Sequence, residues 1–250
     1  MIANYHSHSR WCRHGVGEIE DYIVKAISLG FTEMAITEHV PQPVGFSWIP
    51  YEELAQYDQT FNEAIRKYSG QIKIYKGFEC EYVKSSLDYY KRLQEEMGYT
   101  FLIHGQHESG EQRQVNSFAL KTRDEAKVYC EYVCDGIASG MFKLLCHPDV
   151  ILCSYPGLWD ANLEEIFHTI FKTCEEYHMP VEVNASGLRE ERGYPSKLVY
   201  DIARKYDLRF ILNADAHHPE HLYDEVIQHA ERMVKDWGIK VEPIYPRELL

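Results

Sequence analysis

The sequence lacks any apolar run that approaches the roughly 18 residues of a membrane-spanning helix. It also lacks a basic excess, because 26 Lys and Arg residues stand against 39 Asp and Glu, a net charge of −13. Nucleic-acid backbones and anionic membranes bind basic patches, so we expect neither as a partner. The segment MIANYHSH has no basic region followed by a long apolar region, which argues against a secretory signal.

Paired cysteine motifs are missing as well. The seven cysteines are an odd number, and no CxxC occurs among them. Such a count is typical of reduced thiols, so we expect a cytoplasmic protein without a cysteine zinc site. Cys12, Cys80 and Cys146 adjoin candidate ligands, but we interpret each as a small buried residue.

Short apolar segments alternate with amphipathic helical patterns along the chain. The segments have the Val, Ile, Leu, Phe and Tyr content of buried parallel strands and cover residues 2–5, 33–37, 72–78, 100–103, 142–146, 180–183 and 209–212. The helical patterns cover residues 19–27, 54–68, 87–97, 126–137, 163–177, 198–206 and 222–237. Seven βα units without an internal linker predict one α/β domain over residues 1–250, folded as a barrel of seven repeats.

An open, doubly wound sheet is the competing architecture. It requires a glycine-rich phosphate turn after the first strand, such as GxGxxG or GxxxxGK[ST]. The first strand is followed instead by HSHSRWCRHGVGE, which matches neither pattern. Closed barrels carry their catalytic groups at the C-terminal ends of the strands, where this chain has its histidines, so we favour the barrel.

Residues that bind metals recur where the predicted strands end. His6 and His8 lie two residues apart and share one face of a strand, so they can bind one ion together. Further polar residues at strand ends are His39, Glu79, His107, His147, Asn184, Asp215 and His217. Imidazole and carboxylate groups are the ordinary ligands of Zn, Mn and Fe. The pattern therefore predicts a metal cluster at one mouth of the barrel.

Three of the candidate positions have an alternative interpretation. Glu81 points to the same face as Glu79, so either carboxylate could bridge two ions. His104 competes with His107, and we prefer His107 because it lies just past the end of the fourth strand. His14 is a weaker candidate taken alone, since a loop histidine is more often solvated than bound to a metal.

Six segments resemble, in family order, the motifs of the polymerase and histidinol phosphatase (PHP) family: YHSHSRWCRHG, AITEHV, GFECEY, HGQH, CHPD and NADAH. CRHG and NASGLRE…YPS further resemble the histidinol-phosphate phosphatase branch. The similarity covers almost the whole chain. The resemblance implies a distorted (β/α)7 barrel with a trinuclear metal centre at the C-terminal ends of the strands.

The resemblance also implies three divalent ions, of Zn, Mn or Fe, each with its own ligands. Ion by ion, the ligands are His6, His8, Glu79 and Asp215; Glu79, His107 and His147; His14, His39 and His217. Two positions depart from the family pattern. Glu38 stands where relatives often have Asp, and His104 stands where they often have Gly, which keeps the choice between His104 and His107 open.

The activity implied by the resemblance is hydrolysis of L-histidinol phosphate to L-histidinol and phosphate, a step of histidine biosynthesis. A hydroxide that bridges two ions would attack the phosphorus. The residues implied in catalysis are Glu79, Asp215, His217 and Arg189. The alternatives are a phosphoesterase for nucleotides or another small phosphate ester, and a metal-binding module without catalysis. The sequence predicts no oligomeric state.

Arginines are the natural partners of a substrate phosphate, because their planar fork matches two oxygens. Arg189 in SGLRE matches an arginine of the family branch and is the first candidate. Arg192, Arg13 and Arg10 are the next candidates, each equally well explained as a solvated loop charge.

Aromatic and acidic loop residues are weaker candidates for binding the histidinol group. Trp48 and Phe46 in PVGFSW, with Trp11, could pack on an imidazole ring. A cationic group would also require a carboxylate, for which Glu108 and Glu18 are the candidates.

Overall fold

Short parallel strands alternate with helices in the computed structural model, which describes residues 1–43 and 47–250. The strands are β1 Ala3–Asn4, β2 Glu33–His39, β3 Lys73–Cys80, β4 Phe101–His104, β5 Glu108–Ser109, β6 Val115–Asn116, β7 Val181–Asn184 and β8 Phe210–Asn213. The helices are α1 Ile19–Ser28, α2 Leu54–Tyr68, α3 Leu87–Met97, α4 Arg123–Ala138, α5 Ala161–Glu176, α6 Ser186–Arg189, α7 Lys197–Ala203 and α8 Glu225–Asp236.

Six of these strands, β1 to β4 with β7 and β8, form a curled parallel sheet, which confirms the predicted α/β class, whereas β5 and β6 form a separate antiparallel hairpin. One part has the strand order β1-β2-β3-β4, and a second part pairs β7 with β8 in parallel. Leu145 forms parallel bridges with both His104 and Val181 and so connects the two parts. At the other side, Ser7 forms a parallel bridge with Ala216.

The predicted strand over residues 142–146 was wrong as a regular strand. Within it, only Leu145 forms bridges, although its amide still donates to the oxygen of Pro180 at 3.0 Å. Apolar composition predicts that a segment is buried beside a sheet, but it does not predict how many residues pair. The β5–β6 hairpin and the short helix α6 were not predicted at all.

Helices occur at all seven predicted stripes, which confirms those predictions. α4 begins with a capping box in which the Thr122 side chain accepts from the amide of Glu125. α5 begins where the Asp160 carboxylate accepts from the amide of Leu163 at 2.9 Å. Within the described residues, no helix has the length and apolar character needed to cross a membrane.

Apolar side chains fill both faces of the curled sheet. The larger core cluster lies between the sheet and the helices, and it includes one stripe of each long helix. A smaller cluster contains residues from the start of several strands, among them Ala35, Phe101 and Ile211, together with Tyr5 and Tyr245. The smaller cluster fills the end of the sheet where the strands begin, so an open cavity is left at the end where they finish.

Candidate metal centre

Glu79, the second-last residue of β3, is the centre of a buried cluster of imidazoles. Its side chain is 2% exposed and reaches five histidines. The nitrogens and their distances to the carboxylate oxygens are His147 Nε2 at 2.8 Å, His39 Nδ1 at 3.1 Å, His107 Nε2 at 3.4 Å, His8 Nε2 at 3.4 Å and His6 Nε2 at 3.5 Å. A β-carbon at Gly105 would lie 1.9 Å from Oε1 of Glu79, so glycine is required beside this carboxylate.

Asp215, which follows β8, faces Glu79 across the first two histidines. Its Oδ1 lies 3.4 Å from Nε2 of His8 and 3.5 Å from Nε2 of His6. Oδ1 also lies 3.5 Å from Nδ1 of His217. The backbone of Asp215 has φ +45°, an uncommon conformation for a residue with a side chain. The sheet therefore brings opposite ends of the sequence to one point.

Four imidazoles extend the cluster towards the surface. The ring centroids of His8 and His217 are 4.5 Å apart, and those of His8 and His39 are 4.6 Å apart. His14 lies 4.9 Å from His217 and 5.3 Å from His39 by the same measure. His14, although it comes from an exposed loop, therefore joins the other predicted ligands.

The electrostatics divide the cluster: nearby carboxylates raise the pKa of His6 and bring that of His107 to about 9, whereas His8, His14 and Glu79 are shifted towards the forms that bind metals. Burial, aided by His217 and His39, holds the pKa of His8 well below its usual value, so the ring is neutral. Burial and the same two neighbours lower the pKa of His14 to about 4. Burial opposes ionisation of Glu79, but His107 and His6 hold its pKa well below the usual value. Neutral imidazoles and ionised carboxylates are the ligand forms.

Buried polar atoms of the cluster have no hydrogen-bond partner among the described residues. They include Nε2 of His6, both ring nitrogens of His8, Nδ1 of His147 and Oδ1 of Asp215. Leaving such atoms unpaired inside a protein is costly. Ligand atoms of three overlapping groups lie within 4.8 Å of one another: His6, His8 and Glu79; His6, His147 and Asp215; His8, His39 and His217. The donor set therefore fits divalent metal ions.

Glu182 supports the cluster from behind and was not identified in the sequence. Its Oε1 lies 2.8 Å from Nδ1 of His6, and its Oε2 accepts from the amide of His147 at 2.9 Å. The side-chain amides of Asn184 and Asn213 also donate to it. Such a carboxylate fixes the orientation of a ligating imidazole. The signal that could have found it is a Glu inside the otherwise buried strand VEVN.

Glu38, one of the two residues that depart from the family pattern, is buried beside His8. Its Oε1 accepts from the amide of Ser9 at 2.7 Å and from the hydroxyl of Ser9 at 2.5 Å. Its Oε2 lies 3.8 Å from Nδ1 of His8. Burial raises the pKa of Glu38 to about 8.

Glu81 and His104, the alternatives to Glu79 and His107, lie away from the centre of the cluster. Glu81 Oε1 lies 3.2 Å from Nδ1 of His107, at the edge of the cluster, whereas Glu79 occupies the centre. His104 is on the opposite face, where its ring stacks on Phe142 at 4.7 Å. Its Nε2 lies 2.8 Å from Oε1 of Gln106. His107, not His104, is the histidine near Glu79.

A cavity of about 770 Å³ opens above the cluster. Besides the histidines and carboxylates, its lining includes three aromatic, two basic and two acidic side chains: Trp48, Phe118, Tyr194, Arg113, Arg192, Glu108 and Glu190. Phe118 stacks on His107 with centroids 5.6 Å apart, and the Arg192 guanidinium lies 5.0 Å from the Phe118 ring centroid. The cavity can accommodate a small molecule that carries both charge and an apolar ring.

Of the four predicted arginines, Arg192 is the one that lines this cavity. Arg189 donates to Oδ2 of Asp224 at 2.8 Å and lies 3.5 Å from the oxygen of Ala214. Arg13 pairs with Glu53, and Arg10 pairs with Glu18, both on the exposed surface. Arg113, which lines the cavity from the β5–β6 hairpin, was missed because nothing in its sequence context predicts that hairpin.

Of the residues predicted to contact the histidinol group, some line the cavity and others lie elsewhere. Trp48 lines the cavity and lies 4.5 Å from the His14 ring, and Glu108 lines it beside Arg113. Trp11 is buried against Tyr57 instead, with centroids 5.5 Å apart. Glu18 is on the surface with Arg10. Phe46 lies outside the described residues.

Several known proteins are similar to this chain in sequence. A family model described as "PHP domain" matches residues 4–186. A protein of Schizosaccharomyces pombe named "Probable histidinol-phosphatase" is 24% identical over 260 residues, which cover 88% of this chain and 81% of its own length. A protein of Deinococcus radiodurans with the same name is 22% identical over 229 residues, 87% of each chain.

A solved structure gives a similar fold. The histidinol phosphate phosphatase of Lactococcus lactis, in complex with zinc, L-histidinol and phosphate, superposes with a TM-score of 0.72. It is 19% identical, and the match covers 96% of this chain and 94% of the other. At this identity the likeness shows the fold alone.

Proposed function

The chain belongs to the PHP domain family, and on that premise we propose that it hydrolyses L-histidinol phosphate to L-histidinol and phosphate. The observation that carries the proposal is the group of buried ligand atoms of His6, His8 and Asp215, which have no hydrogen-bond partner in the described part of the chain and lie at the base of a cavity. The names of the two relatives, and the ligands in the Lactococcus lactis structure, support this choice of substrate.

The architecture that we propose is a single domain over residues 1–250, folded as a distorted (β/α)7 barrel. The seven strand positions are β1, β2, β3, β4, Leu145, β7 and β8. The parallel bridge between Ser7 and Ala216 supports closure of the barrel between its first and last strands.

We assign three divalent ions to the cluster, with ligands as follows: His6, His8, Glu79 and Asp215; Glu79, His107 and His147; His14, His39 and His217. Such ions lower the pKa of a water molecule that bridges them and neutralise charge on a bound phosphate. Glu79 would bridge two of them, since its two oxygens face different histidines. Glu182 would hold His6 with one nitrogen directed at the cluster.

The chain's own cations bind the phosphate from the cavity wall in this proposal. Arg192 and Arg113 line the cavity and can present a planar pair of donors to phosphate oxygens. Arg189 acts differently, because it is 14% exposed and bound to Asp224. Its contact with the oxygen of Ala214 gives it a positioning role for Asp215, the next residue.

The rim of the cavity suits a cationic leaving group with a flat ring. Trp48 and Phe118 offer aromatic faces, on which imidazole and ammonium groups pack well. Glu108 and Glu190 provide negative charge at the same rim. A nucleotide would bring no cationic group to these carboxylates, so the rim favours histidinol phosphate.

We also propose a cytoplasmic location. All seven cysteines are free thiols. Reduced thiols are usual in a reducing compartment.

The deciding experiment is phosphate release from histidinol phosphate by protein reconstituted separately with Zn, Mn or Fe. We expect turnover with at least one metal and none after chelation. A panel of nucleoside monophosphates and small phosphate esters is the control for the substrate. Equal or faster turnover of a nucleotide would refute histidinol phosphate as the substrate, whereas fewer than two bound ions per chain would refute the metal assignment.

A further inference from the structure

Tyr194 is a buried tyrosine in the wall of the main cavity. It is 2% exposed and lies in the loop between α6 and α7, two residues after Arg192. Its ring centroid lies 6.4 Å from that of His147, at the base of the cavity. Tyr194 therefore borders the proposed ligands, whereas Phe118 and Trp48 lie nearer the surface.

The loop around Tyr194 is held from two sides. A β-carbon at Gly187 would lie 2.3 Å from both Cδ2 and the backbone oxygen of Tyr194, so the ring rests directly on the backbone of α6. On the other side, the buried carboxylate of Asp149 accepts from the amide of Ser196 at 2.8 Å. These contacts fix the ring before any ligand binds, as a preorganised hydrogen-bond donor requires.

Arg192 and Tyr194 both line the cavity, and the Arg192 side chain interacts with the Tyr194 hydroxyl. When the Arg192 guanidinium donates to the tyrosine oxygen, the hydroxyl proton remains available to a second acceptor. Arg192 has five N–H donors, and its contact with Glu190, at 3.4 Å, occupies only Nη2.

We propose that Tyr194, together with Arg192, donates a hydrogen bond to a non-bridging oxygen of the substrate phosphoryl group and is a further catalytic residue of this site. The inference rests on the proposed function. The position beside His147 supports a phosphoryl oxygen as the acceptor, because the phosphoryl group belongs next to the cluster. The leaving group extends towards the rim formed by Phe118 and Trp48.

The test is Tyr194→Phe, which removes the hydroxyl and keeps the ring. We expect kcat/KM to fall about 10- to 100-fold, the size of one hydrogen bond to a charged group. The Kd for inorganic phosphate, measured by calorimetry on the zinc-loaded protein, should rise about 10-fold. The matched control is Tyr57→Phe, since the Tyr57 hydroxyl is equally buried and has no hydrogen-bond partner among the described residues.

A series of aryl phosphates with phenols of different acidity identifies the oxygen that accepts. If the acceptor is a non-bridging oxygen, Tyr194→Phe slows every ester by the same factor. A loss that grows as the phenol becomes a poorer leaving group would place the hydroxyl on the leaving oxygen and overturn the proposal. Unchanged rates and unchanged phosphate affinity would overturn it too.

The phosphate titration separates this inference from the proposed function. If the wild-type protein hydrolyses no phosphate ester, the proposed function fails, yet weaker phosphate binding by Tyr194→Phe still supports the hydroxyl as a phosphate donor. If the wild type is active and Tyr194→Phe equals it in both measurements, only the inference about Tyr194 fails.

Discussion

The two ends of the curled sheet both contain buried charged groups, but at one end several of their atoms have no hydrogen-bond partner among the described residues. Where the strands begin, the carboxylate of Glu33 is 1% exposed and accepts from the hydroxyl of Tyr5 and the guanidinium of Arg247. Where the strands end, His6 Nε2 and Asp215 Oδ1 are also buried atoms, but neither has a hydrogen-bond partner among the described residues. A buried charge with its partner stabilises the fold, whereas a buried donor set without partners indicates a ligand.

The largest expected effect on activity comes from Glu79→Gln, at the end of the sheet where the strands finish. Because Glu79 reaches five imidazoles, its loss should lower kcat by more than about 100-fold, beyond the effect of removing an outer support of a metal site. Phosphate release and bound metal per chain measure the change, and circular dichroism checks the fold. The control is Glu81→Gln, at the cluster edge. Activity near wild type in Glu79→Gln, with loss in Glu81→Gln, would reverse the two roles.

Glu182→Gln should weaken metal binding without removing a ligand. The amide cannot accept the same set of hydrogen bonds from His6, His147 and two asparagines, so we expect metal affinity to fall about 10- to 100-fold. Competition with a chromophoric chelator measures the affinity. Glu33→Gln is the matched control, since it changes a buried carboxylate at the opposite end and should leave metal affinity unchanged. Equal effects of the two variants would remove the distinction between the ends.

Arg192→Ala should raise KM for the phosphorylated substrate about 10-fold, the size of one charge-assisted hydrogen bond. Arg192 lines the cavity, so its removal affects substrate binding before the fold. Arg13→Ala is the control, since Arg13 pairs with Glu53 on the surface.

Arg189→Ala should lower kcat more than it raises KM, because Arg189 contacts Ala214 and Asp224. A rise in KM alone would return Arg189 to direct substrate binding.

The smallest expected effect is on the free energy of unfolding, from a substitution at the end of the sheet where the strands begin. Arg247→Ala leaves the buried Glu33 with fewer partners, so the free energy of unfolding should fall by about 1–2 kcal/mol. Solvent screens the half-exposed Arg247, which keeps the effect small. Urea denaturation measures the loss, and kcat should stay at the wild-type value. Arg209→Ala, which removes an exposed pair with Glu242, is the control. A large loss of activity in Arg247→Ala would mean that the two ends are coupled.

Residues at strand ends were predictable because the sequence marks the ends by a change from apolar to polar residues. His6, His8 and Asp215 follow that rule, and the curled sheet brings them together as expected. Glu182 does not follow it, because it lies inside β7 and looks like an interruption of the core. Its position is explained by tertiary contacts with His6, which follows β1, and with Asn213 in β8.

Loop residues were less predictable than strand residues. Arg113 and Arg189 are both arginines in polar segments, yet one lines the cavity and the other pairs with Asp224. The difference depends on the β5–β6 hairpin and on the position of α8, neither of which is encoded by local periodicity. Tyr194 is also a loop residue, and the contact of its ring with the backbone of Gly187 is a tertiary contact that the local sequence does not predict.

The parallel bridge between Ser7 and Ala216 places ligands from near the two ends of the chain side by side. His6 and His8 follow the first strand and Asp215 follows the last, so an ion bound by all three would connect residues near opposite ends of the chain. A cross-link over so long a loop restricts the unfolded chain, much as a disulfide does. Bound metal would then raise the free energy of unfolding as well as supply the chemistry of the site.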